Sequence, residues 1–270
     1  MASSATRSAS AQSALNAERN PWPAASLLGE LSTPTRDHLI TLGRRTHFTG
    51  GERLLREGES GSHVFLLLSG WFKVLAMTED HREALLAVRA GGDIVGELAC
   101  FDAQPRVATV VASGVGVAHQ ISRQDFLAFL ALHEDAAQAV MRAVAGKLRW
   151  ATRRRQEFGS CAVVTRVARV LGELARVYGR SGESGIAIGV ALTQPELAEL
   201  VGASEPSVHR VLRSLREQAI IETGYRRILV RDVSELSRIA GTAWGTSPLT
   251  ASLLPGPAMK PPPAPSRRSR

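Results

Sequence analysis

A change of period near Ser122 constrains this chain more than any other feature. Before it, Gly50, Gly51, Gly58, Gly61, Gly70, Gly91, Gly92, Gly96, Gly114 and Gly116 punctuate short apolar runs such as His63 to Leu68 and Trp71 to Ala76. Runs of that length between turn residues are strands, and a series of them closes into a sandwich or jelly roll. After it, Ala137, Met141, Val144, Leu148, Ala151, Arg155 and Phe158 alternate spacings of four and three, a heptad seam interrupted only at Arg155. So short a seam makes a weak coiled coil alone, but a sound dimer helix when a β domain braces it. Packing against its own domain is the other use of such a stripe. The fold class is α+β: an N-terminal β jelly roll, a long dimerisation helix and a second, helical domain.

The 270 residues suffice for two ordinary domains. The expected division is a disordered tail over 1–25, a β-roll over 26–135 opening with a helical entry from Ser26 to Arg45, and a dimerisation helix over 136–158. Gly159 and Ser160 then read as a hinge, and a further helix from Ala162 to Tyr178 stops at Gly179-Arg-Ser-Gly. The second domain spans 159–240, and 241–270 forms a disordered Pro/Arg-rich tail ending Ser-Arg-Arg-Ser-Arg. Cys100 and Cys161 are too few for a disulfide framework or a four-cysteine metal site, which fits a reducing compartment. Residues 1–20 hold one large aliphatic residue, Leu15, and no run reaches the roughly 18 apolar residues of a membrane span. The expectation is a soluble, cytoplasmic protein without membrane partners.

Charge divides along the chain. Residues 21–135 carry 10 basic and 14 acidic side chains, net −4, whereas residues 136–270 carry 21 and 10, net +11. The total of +8 therefore signals an anionic partner for the second half.

The first half has one informative segment, Gly96 to Thr109. A glycine after a strand lets backbone N–H groups approach an anion, and a following helical turn aims further donors at it. Arg106 supplies a planar fork matching two phosphate oxygens, and Glu97 suits a sugar hydroxyl on the same ligand. The alternative is a Glu97–Arg106 ion pair that merely holds a loop. Gly96-Glu97-Leu98-Ala99, with Pro105-Arg106 and Ala108-Thr109 at the matching distance, resembles the phosphate cassette of cyclic-nucleotide-binding domains. That resemblance implies Glu97 on the ribose 2′-OH, Arg106 on the cyclic phosphate, and backbone N–H groups near Leu98, Ala99 and Val107 on the remaining oxygens. Val107 departs from the family's Ala or Ser, loses a hydroxyl and crowds the pocket. The family's Thr-Ser pair on the dimer helix, which recognises the base, falls on Ala151 and Thr152, of which Thr152 alone can bond to adenine. Trp150 beside it either stacks on the base or packs.

Leu192 to Leu215 carries the strongest motif. Thr193 caps a first helix with Gln194 and Pro195 in its first turn, Gly202 makes a turn, and Ser204 caps a second helix with Pro206 in its first turn. Val208, Val211, Leu212 and Leu215 face inward, leaving Ser207, His209, Arg210 and Arg213 outward, the spacing of a helix-turn-helix. Two strands around Gly224-Tyr225-Arg226-Arg227 then form the basic wing of a winged helix, which meets phosphate.

In this order, residues 27–240 resemble the catabolite-activator (Crp/Fnr) family of bacterial transcription regulators. The resemblance implies a homodimer on an inverted-repeat operator in double-stranded DNA, regulated by a cyclic nucleotide, with cAMP first, and RNA polymerase as a further partner. The family's base-reading positions fall on Glu205, Pro206 and Arg210; Arg210 fits guanine, Glu205 either cytosine or only the helix dipole, and Pro206 can donate nothing. A constitutive regulator, one sensing another molecule, and a regulatory subunit of an enzyme are the rivals. An iron–sulfur sensor lacks its N-terminal cysteines, and no nucleophile–base pairing or metal-ligand spacing supports an enzyme.

Overall fold

The computed structural model describes residues 21–224 and 227–241. Order begins inside the expected 1–25 tail: Trp22 donates its indole N–H to the Leu68 carbonyl at 2.8 Å. Residues 1–20 and the tail beyond 241 lie outside the described residues. Ser26 and Ser32 cap two short helices, α1 (Leu27–Glu30) and α2 (Thr33–Thr41), by accepting from Gly29 and Thr35 N–H. The helical entry ends there, because Arg44 and Arg45 already belong to a strand.

That strand is β1 (Arg44–Phe48), followed by β2 (Arg53–Leu55), β3 (His63–Ser69), β4 (Trp71–Met77), β5 (Glu83–Ala90), β6 (Ile94–Val95), β7 (Thr109–Ala112) and β8 (Gly116–Ser122). They pair antiparallel in two sheets, β1-β8-β3-β6 and β2-β7-β4-β5. The unbroken apolar run of β3 has a physical reason, since alternate side chains serve two cores. Phe65 and Leu67 meet Phe48, Phe72 and Val110 between the sheets. Val64 and Leu66 meet Leu28, Leu39, Phe126 and Phe129 under the helices. A short helix, α3 (Glu97–Asp102), connects β6 to β7.

After α4 (Arg123–Leu132), the long helix α5 runs from Glu134 to Ser160, beyond the expected 136–158 at both ends. Gly159 and Ser160 are therefore helical rather than a hinge. The Ser160 hydroxyl donates to the Gln156 carbonyl, and the buried Glu157 pairs with Arg169 at 2.9 Å, which ties down the last turn. The chain turns at Cys161 and Ala162, where ψ is 141° and 150°.

Next come α6 (Val163–Tyr178), β9 (Arg180–Gly182), β10 (Gly185–Ile188), α7 (Gln194–Val201), α8 (Glu205–Glu217), β11 (Ile221–Gly224), β12 (Arg227–Val230) and α9 (Val233–Ala240). The sequence predicts only a helix stop after Tyr178; the chain instead enters the β9–β10 hairpin, which completes the sheet β11-β12-β10-β9. Leu171, Leu197, Val201, Val208, Leu212 and Leu236 share one core with Leu85 and Val88 of β5. The two halves are also joined by Lys73 to Glu196 at 2.5 Å and by Leu85 N–H donating to Glu199 Oε2 at 2.8 Å.

Candidate ligand cavity and nucleic-acid interface

The β6–α3 junction turns on Gly96, whose φ of 85° is open to glycine at little cost. A Cβ there would lie 2.6 Å from Arg106 Nη1, so the glycine admits the guanidinium as well as the turn. Arg106 is only 4% exposed. Its Nη1 donates to the Gly96 carbonyl at 2.6 Å and its Nη2 to the His63 carbonyl at 2.5 Å. Glu97 is 3% exposed and pairs with Lys147 of α5 at 2.9 Å; the same ammonium donates to the Ile94 carbonyl. The Glu97–Arg106 ion pair, the alternative open from the sequence, is thus not the arrangement formed. Instead a carboxylate with a cation behind it and a buried guanidinium border one cavity of about 120 Å3.

Gly96, Glu97, Leu98, Ala99, Arg106 and Val107 all line this cavity. Val107 is 63% exposed where it lines the cavity. Thr152 does not line the cavity of its own chain; it is exposed on α5 beyond Lys147. Trp150 packs against the helical domain, with the Arg154 guanidinium 4.9 Å from its ring centroid. Burial lowers the Arg154 pKa to about 10, and its Nη1 has no hydrogen-bond partner. Burial and then the Arg106 charge hold the His63 imidazole below its usual value, while burial raises the Cys100 thiol.

Two charged cavity residues are absent from the sequence-derived set, Lys147 and Arg89. Lysine is rare here, with three against thirty arginines, and two of the three form buried or half-buried ion pairs across the fold. That rarity is the available signal for Lys147. For Arg89 it is a lone charge inside an apolar strand.

In the second half, Thr193 and Glu196 form a reciprocal capping box at the start of α7. Gly202 ends α7 in the left-handed region at φ 65°. Ser204 occupies the N-cap position of α8 but does not cap with its side chain, contrary to expectation; its hydroxyl donates to Ser207 Oγ at 2.9 Å. Val208, Leu212 and Leu215 are buried, and Glu205, His209, Arg210 and Arg213 lie exposed on the opposite face, with Ser207 half-buried. Thr193 and Gln194 lie at the first turn of α7, and both are exposed. Arg210 reaches Ser207 Oγ at 3.3 Å, and Arg213 pairs with Glu217 at 2.9 Å. Arg227 is exposed on the wing, whose Tyr225 and Arg226 lie outside the described residues. Arg216, not singled out from the sequence, donates to Thr223 and links α8 to the wing.

This order of cavity, long helix and winged helix coincides with two family models. Residues 45–133 match the cyclic nucleotide-binding domain and residues 165–239 the Crp-like helix-turn-helix domain, between them more than half of the chain. The chain belongs to the Crp/Fnr family of transcription regulators. Among family members, it is 28% identical over 193 residues to the CRP-like cAMP-activated global transcriptional regulator of Mycobacterium tuberculosis, covering 72% of this chain and 86% of that one. It is 27% identical over 199 residues to the cAMP-activated global transcriptional regulator CRP of Pasteurella multocida, covering 73% and 94%. FixK2 from Bradyrhizobium japonicum shares the fold at TM-score 0.65 and 20% identity, over 75% of this chain and 99% of that one. A CRP-family transcriptional regulator from Thermus thermophilus is similar at TM-score 0.60 and 25% identity, over 75% and 100%. Among the described residues, no helix is long and apolar enough to cross a membrane.

Proposed function

We propose that this Crp/Fnr member is a homodimeric, sequence-specific DNA-binding regulator that responds to a cyclic nucleotide, with cAMP as the preferred ligand. The carrying observation is the cavity in which the buried Arg106, the buried Glu97 and the glycine turn at Gly96 converge. Arg106 offers a phosphate two parallel donors, Glu97 accepts from a ribose hydroxyl, and the first turn of α3 contributes backbone N–H groups. The names of the M. tuberculosis and P. multocida relatives support cAMP. In this reading residues 26–135 sense, 136–158 dimerise and 159–240 bind DNA. Thr152 belongs to the dimer side of the ligand rather than the cavity wall.

Dimerisation rests on α5, where Met141 is 62% and Leu148 68% exposed along one seam. Unpaired apolar side chains at heptad spacing call for a second copy. The dimer then sets two α8 helices about one DNA turn apart, roughly 34 Å, on an inverted repeat, with Arg210 reading guanine and Thr193, Gln194 and Arg227 positioned on phosphate. Action on bacterial promoters implies a cytoplasmic, nucleoid-bound protein that meets RNA polymerase. It acts by binding and is not an enzyme.

Calorimetry with cAMP and cGMP, on the unmodified chain and on Arg106→Ala, tests the reading. Micromolar binding of cAMP that disappears in Arg106→Ala is expected. A chain silent to both nucleotides that still footprints an inverted repeat would establish the second reading, a regulator independent of cyclic nucleotides, for which Ala151 speaks because it lacks the hydroxyl of the family's Thr.

A further inference from the structure

Arg153, Arg154 and Arg155 are consecutive on α5, and only the middle one is buried, at 8% exposure. A buried guanidinium has lost its hydration and ordinarily recovers it from a contacting carboxylate and from hydrogen bonds. Among the described residues Arg154 has neither, and its Nη1 is sealed from solvent without an acceptor. The acid one turn on, Glu157, is committed to Arg169 at 2.9 Å. What holds Arg154 is aromatic: its guanidinium lies 4.9 Å from the Trp150 ring centroid and 5.5 Å from that of Phe158. A second cation faces the same Phe158 ring. Arg166 of α6 is also 8% exposed, and its guanidinium stands 6.0 Å from the ring centroid. Its Nη1 donates to the carbonyls of Val201 and Gly202, at the negative end of α7, but its Nε is buried without an acceptor. Of the three buried side-chain polar atoms without a hydrogen-bond partner among the described residues, two are thus guanidinium nitrogens gathered on one ring.

We propose that Arg154 and Arg166 form a second anion site, distinct from the β-roll cavity, in which a small oxyanion of the phosphate class binds where α5, α6 and the helix-turn-helix meet. Neither residue lines that cavity, so the site stands apart from its nucleotide reading. Burial, and after it the Arg166 charge, lower the Arg154 pKa to about 10 against the pull of Glu157 and Glu173, so both guanidinium groups are charged at neutral pH. An oxyanion supplies acceptors to both orphan N–H groups and offsets the repulsion between the two cations. Bonds of this charge-assisted kind are roughly twice as strong as those between neutral groups. Depth limits the occupant. With both side chains more than nine-tenths buried, the backbone of a DNA duplex cannot reach them, whereas a free ion can enter beside Phe158, which is 48% exposed. Because Phe158 packs on Gly202, occupancy ties the end of α5 more firmly to the helix-turn-helix.

The experiment compares thermal unfolding and calorimetry in inorganic phosphate and in chloride at equal ionic strength, for the unmodified chain, Arg154→Met and Arg106→Ala. The last variant removes the cavity's own phosphate donor. Phosphate should raise the Tm of the unmodified chain and of Arg106→Ala alike. Arg154→Met should bind phosphate about ten- to hundredfold more weakly, which is the loss of a hydrogen bond to a charged group. Without phosphate it should be more stable than the unmodified chain, because an apolar side chain then replaces an unpaired buried charge. A purely structural cation–π role predicts the reverse, a less stable Arg154→Met with its phosphate response intact, and that result would overturn the site. A response lost in Arg106→Ala but kept in Arg154→Met would put the anion in the β-roll cavity, and displacement of phosphate by cAMP in Arg106→Ala would make this a nucleotide site; either overturns the proposal. So does a chain indifferent to phosphate in which Glu173→Gln costs as much stability as Arg154→Met, since Glu173 would then be the counter-ion.

Discussion

Phe158 of the long helix α5 lies against Gly202 in the turn of the helix-turn-helix, so closely that a Cβ on Gly202 would overlap the ring at Cε1. The same ring lies 5.5 Å from the Arg154 guanidinium and 6.0 Å from that of Arg166. Arg166 in turn donates to the carbonyls of Val201 and Gly202. The end of the seam helix is thus wedged into the DNA-reading domain of its own chain.

Gly202→Ala should be destabilising, because it combines a left-handed backbone costing about 1 kcal/mol with displacement of the Phe158 ring. Urea unfolding should show a loss of about 1–3 kcal/mol. Adding Phe158→Ala should recover part of it. Additive losses in the double-mutant cycle would show that the two residues do not interact.

Lys147→Met should leave the 3%-exposed Glu97 without its cation. Breaking a buried pair by removing one partner costs about 3–5 kcal/mol, and the 26% exposure of Lys147 puts this pair below that range, at about 1–3 kcal/mol. Chemical denaturation reads the loss. Glu97→Gln in the same background should recover stability, since no buried carboxylate is then left without its cation.

Leu148→Glu places a charge on a residue that is 68% exposed in the single chain. Monomer stability should therefore change by no more than about 0.5 kcal/mol. Sedimentation should nevertheless shift toward monomer at micromolar concentration, and binding to an inverted repeat should fall with it. A dimer unaffected by Leu148→Glu would place the subunit contact elsewhere.

His63 supplies a pH dependence with a definite sign. Its folded-state pKa lies below the ordinary histidine value of 6.5, chiefly through burial and then through Arg106, so the unfolded chain takes up its proton first. The contribution is present above that value and is lost as pH falls toward the folded pKa. Thermal unfolding between pH 7 and 5 should decline less steeply in His63→Gln than in the unmodified chain. Equal slopes would assign the acid sensitivity to other groups.

What is legible in the sequence is what lies close along it. Gly96 to Thr109 and Leu192 to Leu215 carry their chemistry within one turn or one helix pair, and both form where expected. Lys147 escapes notice because its partner Glu97 is 50 residues away, and a cation in a helix ordinarily faces water. Arg89 is hidden for the same reason, since the cavity it lines is assembled only by the fold. The expected hinge falls too early because Gly159 looks like a helix breaker, a cost of about 1 kcal/mol that the buried Glu157–Arg169 pair and the Ser160 bond offset. The β9–β10 hairpin is hidden because Arg180 to Gly182 has no apolar alternation; β9 is held by β10, which is in turn paired with β12.

Leu85 and Val88 of β5 are 2% and 3% exposed only because the helical domain covers them, together with parts of Trp71 and Leu75. The chain therefore has no clean place to be cut. Excising the sensor after residue 160 would yield a fragment with a greasy strand on its outside, inclined to self-associate whether or not its cavity were intact. Grafting the reader onto another regulator would strand the matching surface. The two modules share one core, and they cannot be exchanged as parts.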